Sequence, residues 1–152
     1  MKQAVMLSLR GQQDYLEQEP EIISLITEGT LERLADGWEI SYQESPLTGL
    51  EGVTTTFTVR DNGVTLTRTG KLESQMVFQA GVTHESLYQM EFGALMISVC
   101  ATMISWDITE LGGILDLVYN IEIEQTPMGV VTYHLDIAQK DYKTACCSCS
   151  KP

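Results

Sequence analysis

Side chains alternate between apolar and polar with a period of two through almost the whole chain of 152 residues. Helical spacing is nearly absent. A period of two belongs to an extended strand with one face buried, because successive side chains point to opposite sides. The segment from Ile114 to Glu124 is the clearest case. Leu115, Leu117, Tyr119, Ile121 and Ile123 share one face, and Asp116, Asn120, Glu122 and Glu124 share the other. Val130 to Ala138 repeats the pattern, with Val131, Tyr133, Leu135 and Ile137 inward and Thr132, His134 and Asp136 outward. Between the two, Thr126-Pro127-Met128-Gly129 carries Pro second and Gly fourth, and is expected to be the hairpin connection.

The same grammar holds upstream. Val5, Leu7 and Leu9 mark a first strand, and Ile22 to Leu34 alternates on both sides of Gly29, which reads as a bulge or bend. Asp36-Gly37 is read as a two-residue hairpin turn. Trp38, Ile40 and Tyr42 form the next inward face, followed by Val53, Thr55, Phe57 and Val59. Asp61-Asn62-Gly63 turns the chain into Val64 to Thr69. Gly70 interrupts, and Leu72, Met76 and Phe78 resume. Ala80-Gly81 leads to Tyr88, Met90 and Phe92. Leu95, Ile97, Val99, Ala101 and Met103 then form one inward run that ends near Trp106, and Leu111-Gly112-Gly113 is the next expected turn. The longest expected loops are Gln12–Pro20 and Pro46–Gly52.

The result is an all-β chain of about eight to ten short strands joined by tight turns, which pair with their neighbours as an antiparallel meander. An apolar face of that extent must be hidden. Closing the meander into a barrel hides it and removes the exposed edges. A two-sheet sandwich is the main alternative, but it usually needs long crossovers. Hydrophobic residues make up 43% of the chain, enough for a core without metals or disulfides. One barrel domain is expected over residues 1–143, with a Cys-rich tail over 144–152.

The net charge of −12 and the absence of a Lys/Arg stripe disfavour nucleic acid and anionic membranes as partners. The first ten residues lack the length and cleavage site of a secretory signal, so a cytoplasmic setting is expected. Cys100 reads as a small core residue. Cys146, Cys147 and Cys149 read as part of a frayed terminus, because structural zinc usually wants four ligands and no partner motif accompanies them. His134 has outward parity and reads as a surface histidine. No metal site or cofactor is expected.

The stretch Gly37-Trp38-Glu39-Ile40-Ser41-Tyr42-Gln43-Glu44, followed by Thr48-Gly49-Leu50-Glu51-Gly52, resembles the YwiB-like family of small bacterial proteins of unknown function. Arg68-Thr69-Gly70, Phe78 with Gly81, Tyr88 with Phe92-Gly93, and Leu117-Val118-Tyr119-Asn120-Ile121 extend the resemblance over roughly Leu7 to Ile137. It implies a calycin-like, lipocalin-like barrel in a bacterial cytoplasm, and it supplies no reaction. The tail falls outside the family pattern.

Parity exposes one further feature. Arg68 shares a face with Val64 and Leu66, and Glu44 shares a face with Trp38, Ile40 and Tyr42. Both charged groups are therefore expected to point into the barrel. An isolated buried charge is very costly, so each needs partners, either one another or the hydroxyls of Tyr42, Tyr88 or Tyr119. His84 shares parity with Tyr88, Met90 and Phe92, which makes it a candidate for the barrel mouth. The favoured reading is non-enzymatic binding of a small, partly apolar ligand inside the barrel, anchored by Arg68 and Glu44. The alternative is an interaction or scaffold domain with a filled core, using Ile114, Val118 and Val130 as a homodimer or partner surface. A hydrolase or isomerase using Arg68 and Glu44 ranks last, because no nucleophile–base pair or catalytic motif is visible.

Overall fold

The computed structural model describes residues 2–14, 19–45, 51–90 and 93–139, with the side chain of Met90 excepted. Thr48, Gly49, Leu50, Phe92 and the tail cysteines Cys146, Cys147 and Cys149 lie outside the described residues. The described chain is all β. Its ten strands are β1 (Lys2–Asp14), β2 (Glu21–Leu34), β3 (Gly37–Gln43), β4 (Val53–Arg60), β5 (Gly63–Gly70), β6 (Ser74–Phe78), β7 (Thr83–Met90), β8 (Gly93–Thr109), β9 (Gly112–Ile123) and β10 (Thr126–Gln139).

They form one sheet in the order β6-β5-β4-β3-β2-β1-β10-β9-β8-β7, with every ladder antiparallel. The first and last strands lie side by side in the middle of that order, paired from Val5↔Gln139 to Asp14↔Val130. The sheet curls so that its two outer strands approach each other. There Glu73 and Gln89 exchange two backbone hydrogen bonds, of 3.0 and 2.8 Å. The result is a nearly closed ten-stranded antiparallel barrel.

The inward residues are those the alternation selects. Leu7, Ile40, Phe57, Leu66, Phe78, Leu117 and Leu135 are almost wholly buried. Each such side chain contributes roughly 1.5–3 kcal/mol relative to exposure. Phe78 packs on Tyr119 with ring centroids 4.5 Å apart, and Phe57 meets Tyr133 edge-on at 6.2 Å. Where β2 turns into β3, Trp38 lies under the Arg33 guanidinium, 5.5 Å from the ring centroid. The barrel is thus packed solid through most of its length.

Several local readings are corrected by the register. Gly29 is not a bulge, because the β1–β2 ladder runs through it without a shift. It faces inward, and a Cβ there would stand 2.6 Å from Leu7 Cδ1 and 2.5 Å from the Ser41 carbonyl. Close strand approach, not an extra residue, selects glycine at that position. The turns expected at Asp36-Gly37 and Leu111-Gly112-Gly113 each sit one or two residues earlier. Leu34 pairs with Gly37 and Thr109 with Gly112, so each glycine is the last residue of its turn and opens the next strand. Gln12, Gln13 and Asp14 are not loop. They pair with β2 and β10, and their polarity belongs to an open end of the barrel.

β8 holds the largest parity error. Ala101 pairs with Tyr119 and Met103 with Val118, so Thr102 is an extra residue in a bulge. The bulge flips the strand's faces. Met103 is turned outward, and Ile104, Trp106 and Ile108 take over the inner face. Cys100, between the inward Val99 and Ala101, is only half-buried.

The β9–β10 turn is also displaced. Its central residues are Glu124 and Gln125, with φ of 52° and 69°, and Ile123 pairs with Thr126. Two left-handed residues in a row match the twist of a tight hairpin, a geometry normally given to Asn-Gly or Gly-Gly. The Pro127–Gly129 segment holds a register shift within β10. Glu124 is tied to β8, its N–H donating to the Met96 carbonyl at 2.8 Å and its Oε2 accepting the Met96 N–H at 2.7 Å. Gln125 has no such tie among the described residues, so Gln125→Gly is expected to stabilise the protein by about 0.5–1 kcal/mol. Urea unfolding measures it, and a loss of stability would contradict the turn assignment.

Candidate functional site

A polar row crosses the inner wall. The registers place Gly29, Tyr42, Thr55, Arg68 and Ser74 side by side across β2, β3, β4, β5 and β6. Thr55, Arg68 and Ser74 are buried, as is Glu44 just beyond the end of β3. Each belongs to a strand whose other inward residues are apolar, so the row interrupts an otherwise greasy wall. On the facing wall, Gly11 of β1 pairs with Tyr133 of β10.

Between these walls, at one end of the barrel, lies a cavity of about 140 Å³. Leu9, Ile23 and Val131 supply apolar lining, and Tyr42, Glu44 and Arg68 are among the polar lining groups. Arg68 is only 9% exposed. Its Nη2 donates to the Tyr133 hydroxyl at 3.5 Å, the far limit of a hydrogen bond. Its Nε is sealed from solvent and has no partner among the described residues, and neither does the hydroxyl of the cross-strand Ser74. Glu44 Oε2 accepts the Thr55 hydroxyl at 2.5 Å.

The electrostatics follow from burial. Burial holds the Tyr42 phenol well above its usual pKa, and nearby Glu44 adds to the effect. Burial likewise holds Tyr119 up. For Arg68, burial works against the charge, but the hydroxyls of Tyr133, Tyr88 and Tyr42 outweigh it and the net direction is upward. The site therefore sets one buried guanidinium among tyrosines and beside the buried Glu44.

The structure brings Tyr42, Glu44 and Arg68 together at the cavity. Tyr88 and Tyr119 lie within electrostatic reach of the guanidinium and do not line the cavity. His84 is not part of it. It is half-buried on β7, with Nε2 2.8 Å from Gln79 Oε1. It stands four residues from Tyr88, about 13 Å along an extended strand. Parity put His84 on the right face but could not give its height. Thr55, Ser74 and Tyr133 belong to the site and were not singled out. The inward parity of Thr55 and Tyr133 was the available signal.

On the outer wall, His134 sits between Asp116 and Asp136. Its Nδ1 is 2.5 Å from Asp116 and its Nε2 3.1 Å from Asp136.

The fold and the site together define a class: a small calycin-like barrel, filled for most of its length, with a polar-floored cavity at one end. The chain belongs to the family described as Domain of unknown function (DUF1934), whose model matches residues 7–137. A similar solved structure is that of the ywiB protein from Bacillus subtilis, 21% identical, with a TM-score of 0.77. The match covers 89% of this chain and 92% of that one. At that identity the likeness speaks for the fold. No curated protein matches the chain.

The hydrogen bond to Asp116, helped by the charges of both aspartates, raises the His134 pKa above its usual 6.5. A raised folded value means that protonated His134 stabilises the fold. That contribution is complete below the unfolded pKa near 6.5 and fades as pH rises through the higher folded value. The pair is partly exposed, so the effect is small and screened by salt. The melting-temperature deficit of His134→Gln is expected to be larger at pH 5.5 than at pH 9. An equal deficit at both would remove the role given to the aspartates.

Proposed function

We propose that this barrel binds one small, partly apolar molecule, without covalent chemistry, in the cavity at its polar end. The observation that carries the reading is the contrast between that end and the rest. Elsewhere large side chains fill the interior, whereas here Leu9, Ile23 and Val131 face Tyr42, Glu44 and Arg68 across open space. Apolar walls with a few convergent polar groups are the usual form of a small-ligand site. The volume of about 140 Å³ is close to that of engineered cavities of about 150 Å³ that accept benzene. A ligand of about six to ten heavy atoms suits it.

A second reading, an interaction surface, draws on the outer face of β2. Ile22 and Ile26 are 52% and 72% exposed on the same side of that strand. Of the surface residues expected from sequence, Ile114 is exposed, and Val118 and Val130 are half-buried.

A thermal-shift screen of small aromatic and aliphatic compounds tests the cavity. Binders are expected to raise the melting temperature of the wild-type chain. Ile23→Trp, at a partly exposed position in the lining, is expected to abolish the rise while leaving the unliganded protein as stable as before. A library that produces no shift, or shifts that survive Ile23→Trp, would remove this reading. In that case the isoleucine face of β2 becomes the next candidate.

A further inference from the structure

Accepting that the cavity binds a small molecule, we infer that the ligand class is a monocarboxylate, with Arg68 receiving the carboxylate and the apolar walls receiving its short tail. The inference starts from an unmet demand. A guanidinium carries five N–H donors and no acceptor. In the barrel it is buried, yet its one hydrogen bond among the described residues is a long contact with the Tyr133 hydroxyl. Its Nε is sealed in place without a partner. Its Nη1 takes no partner among the described residues, and is not among the atoms sealed from solvent. A buried cation so sparsely matched is costly. A planar, two-oxygen anion laid against the Nη edge would give Nη1 and Nη2 acceptors in two parallel hydrogen bonds, while Nε stays sealed.

The surroundings select among anions. Among the described residues Arg68 is the only cation lining the cavity, and Glu21 and Glu44 also line it. The whole chain carries −12. With two acids already on the lining, a dianionic phosphate meets more repulsion than a carboxylate, which brings a single negative charge to the guanidinium. The Tyr42 hydroxyl stays protonated at neutral pH and is hydrogen-bonded to Glu44, which leaves the guanidinium to receive the anion. Leu9, Ile23 and Val131 then leave room for a hydrocarbon part of about the size of a benzene ring.

Three probes test this by calorimetry: benzoate, its neutral isostere benzamide, and the larger dianion phenyl phosphate. Benzoate is expected to bind at least about tenfold more tightly than benzamide, the gain expected of a charge-assisted pair. Phenyl phosphate is expected to be the weaker anion. Arg68→Gln is expected to bring benzoate and benzamide to within about threefold of each other. Because that variant removes a buried group, the wild-type chain supplies a second readout. In an arginine-labelled sample, the guanidinium nitrogen signal of Arg68 is expected to move with benzoate and stay put with benzamide.

Equal binding of benzoate and benzamide, a preference that survives Arg68→Gln, tighter binding of phenyl phosphate, or a still Arg68 signal would each overturn the carboxylate assignment. If neutral compounds still raise the melting temperature of the wild type but not of Ile23→Trp, the cavity reading outlives it. If nothing binds at all, both fall.

Discussion

The ladder between β1 and β10 turns a meander into a barrel. Ten consecutive residue pairs join the two ends of the folded chain, from Val5↔Gln139 to Asp14↔Val130. Every other ladder links strands that are already neighbours in sequence, so each forms across a short connection. This one spans almost the whole chain and carries the largest loop-closure cost. What offsets that cost is the inner face. Without the β1–β10 ladder, Leu7, Leu9, Leu135 and Ile137 would have water on one side and no facing wall. The same ladder sets Gly11 against Tyr133 and so positions the hydroxyl that reaches Arg68.

Seen from that constraint, the polar row is an expensive choice. Tyr42, Thr55, Arg68 and Ser74 occupy four adjacent strands at one level, where leucine and valine would pack without penalty. The row is only partly self-satisfied. Thr55 finds Glu44, whereas Arg68 Nε and Ser74 Oγ find no partner among the described residues. Natural cores leave few such atoms, and those they leave tend to mark function or bound water. Toward the opposite end Trp38 is buried under the exposed Arg33 guanidinium. The two ends thus have different characters, one lined by a buried tryptophan and one by buried polar groups.

How much of this was legible in the sequence depends on what alternation can encode. Parity names a face, and it put Arg68, Glu44 and Tyr42 inside correctly. It fails wherever a strand gains a residue, as at Thr102, because one extra residue inverts every later side chain. It also says nothing of height along the barrel, which is why His84 was a candidate for a cavity it does not line. Turn chemistry misled in a different way. Pro127 and Gly129 looked like a connection, yet the chain reverses at Glu124-Gln125, whose side chains do not favour the left-handed backbone they adopt. Thr55 and Tyr133 were visible as inward residues, but both types are ordinary in cores. Only the cross-strand register shows that they meet Glu44 and Arg68.

The joint between β6 and β7 has a consequence of its own. Nine ladders run the length of their strands, but this junction rests on the Glu73–Gln89 exchange, the Gln79↔Val82 bridge and the contact of Ala80 and Gly81 with Ala101. β6 is also the shortest strand, at five residues. The ring therefore has a clasp, and the clasp is its cheapest point to undo. Local opening there would cost a handful of backbone bonds while leaving the rest of the wall intact. It would also bare two strand borders at once, each a template for another extended chain. Short β6 keeps its own border to five residues, which limits the template that edge can offer another extended chain.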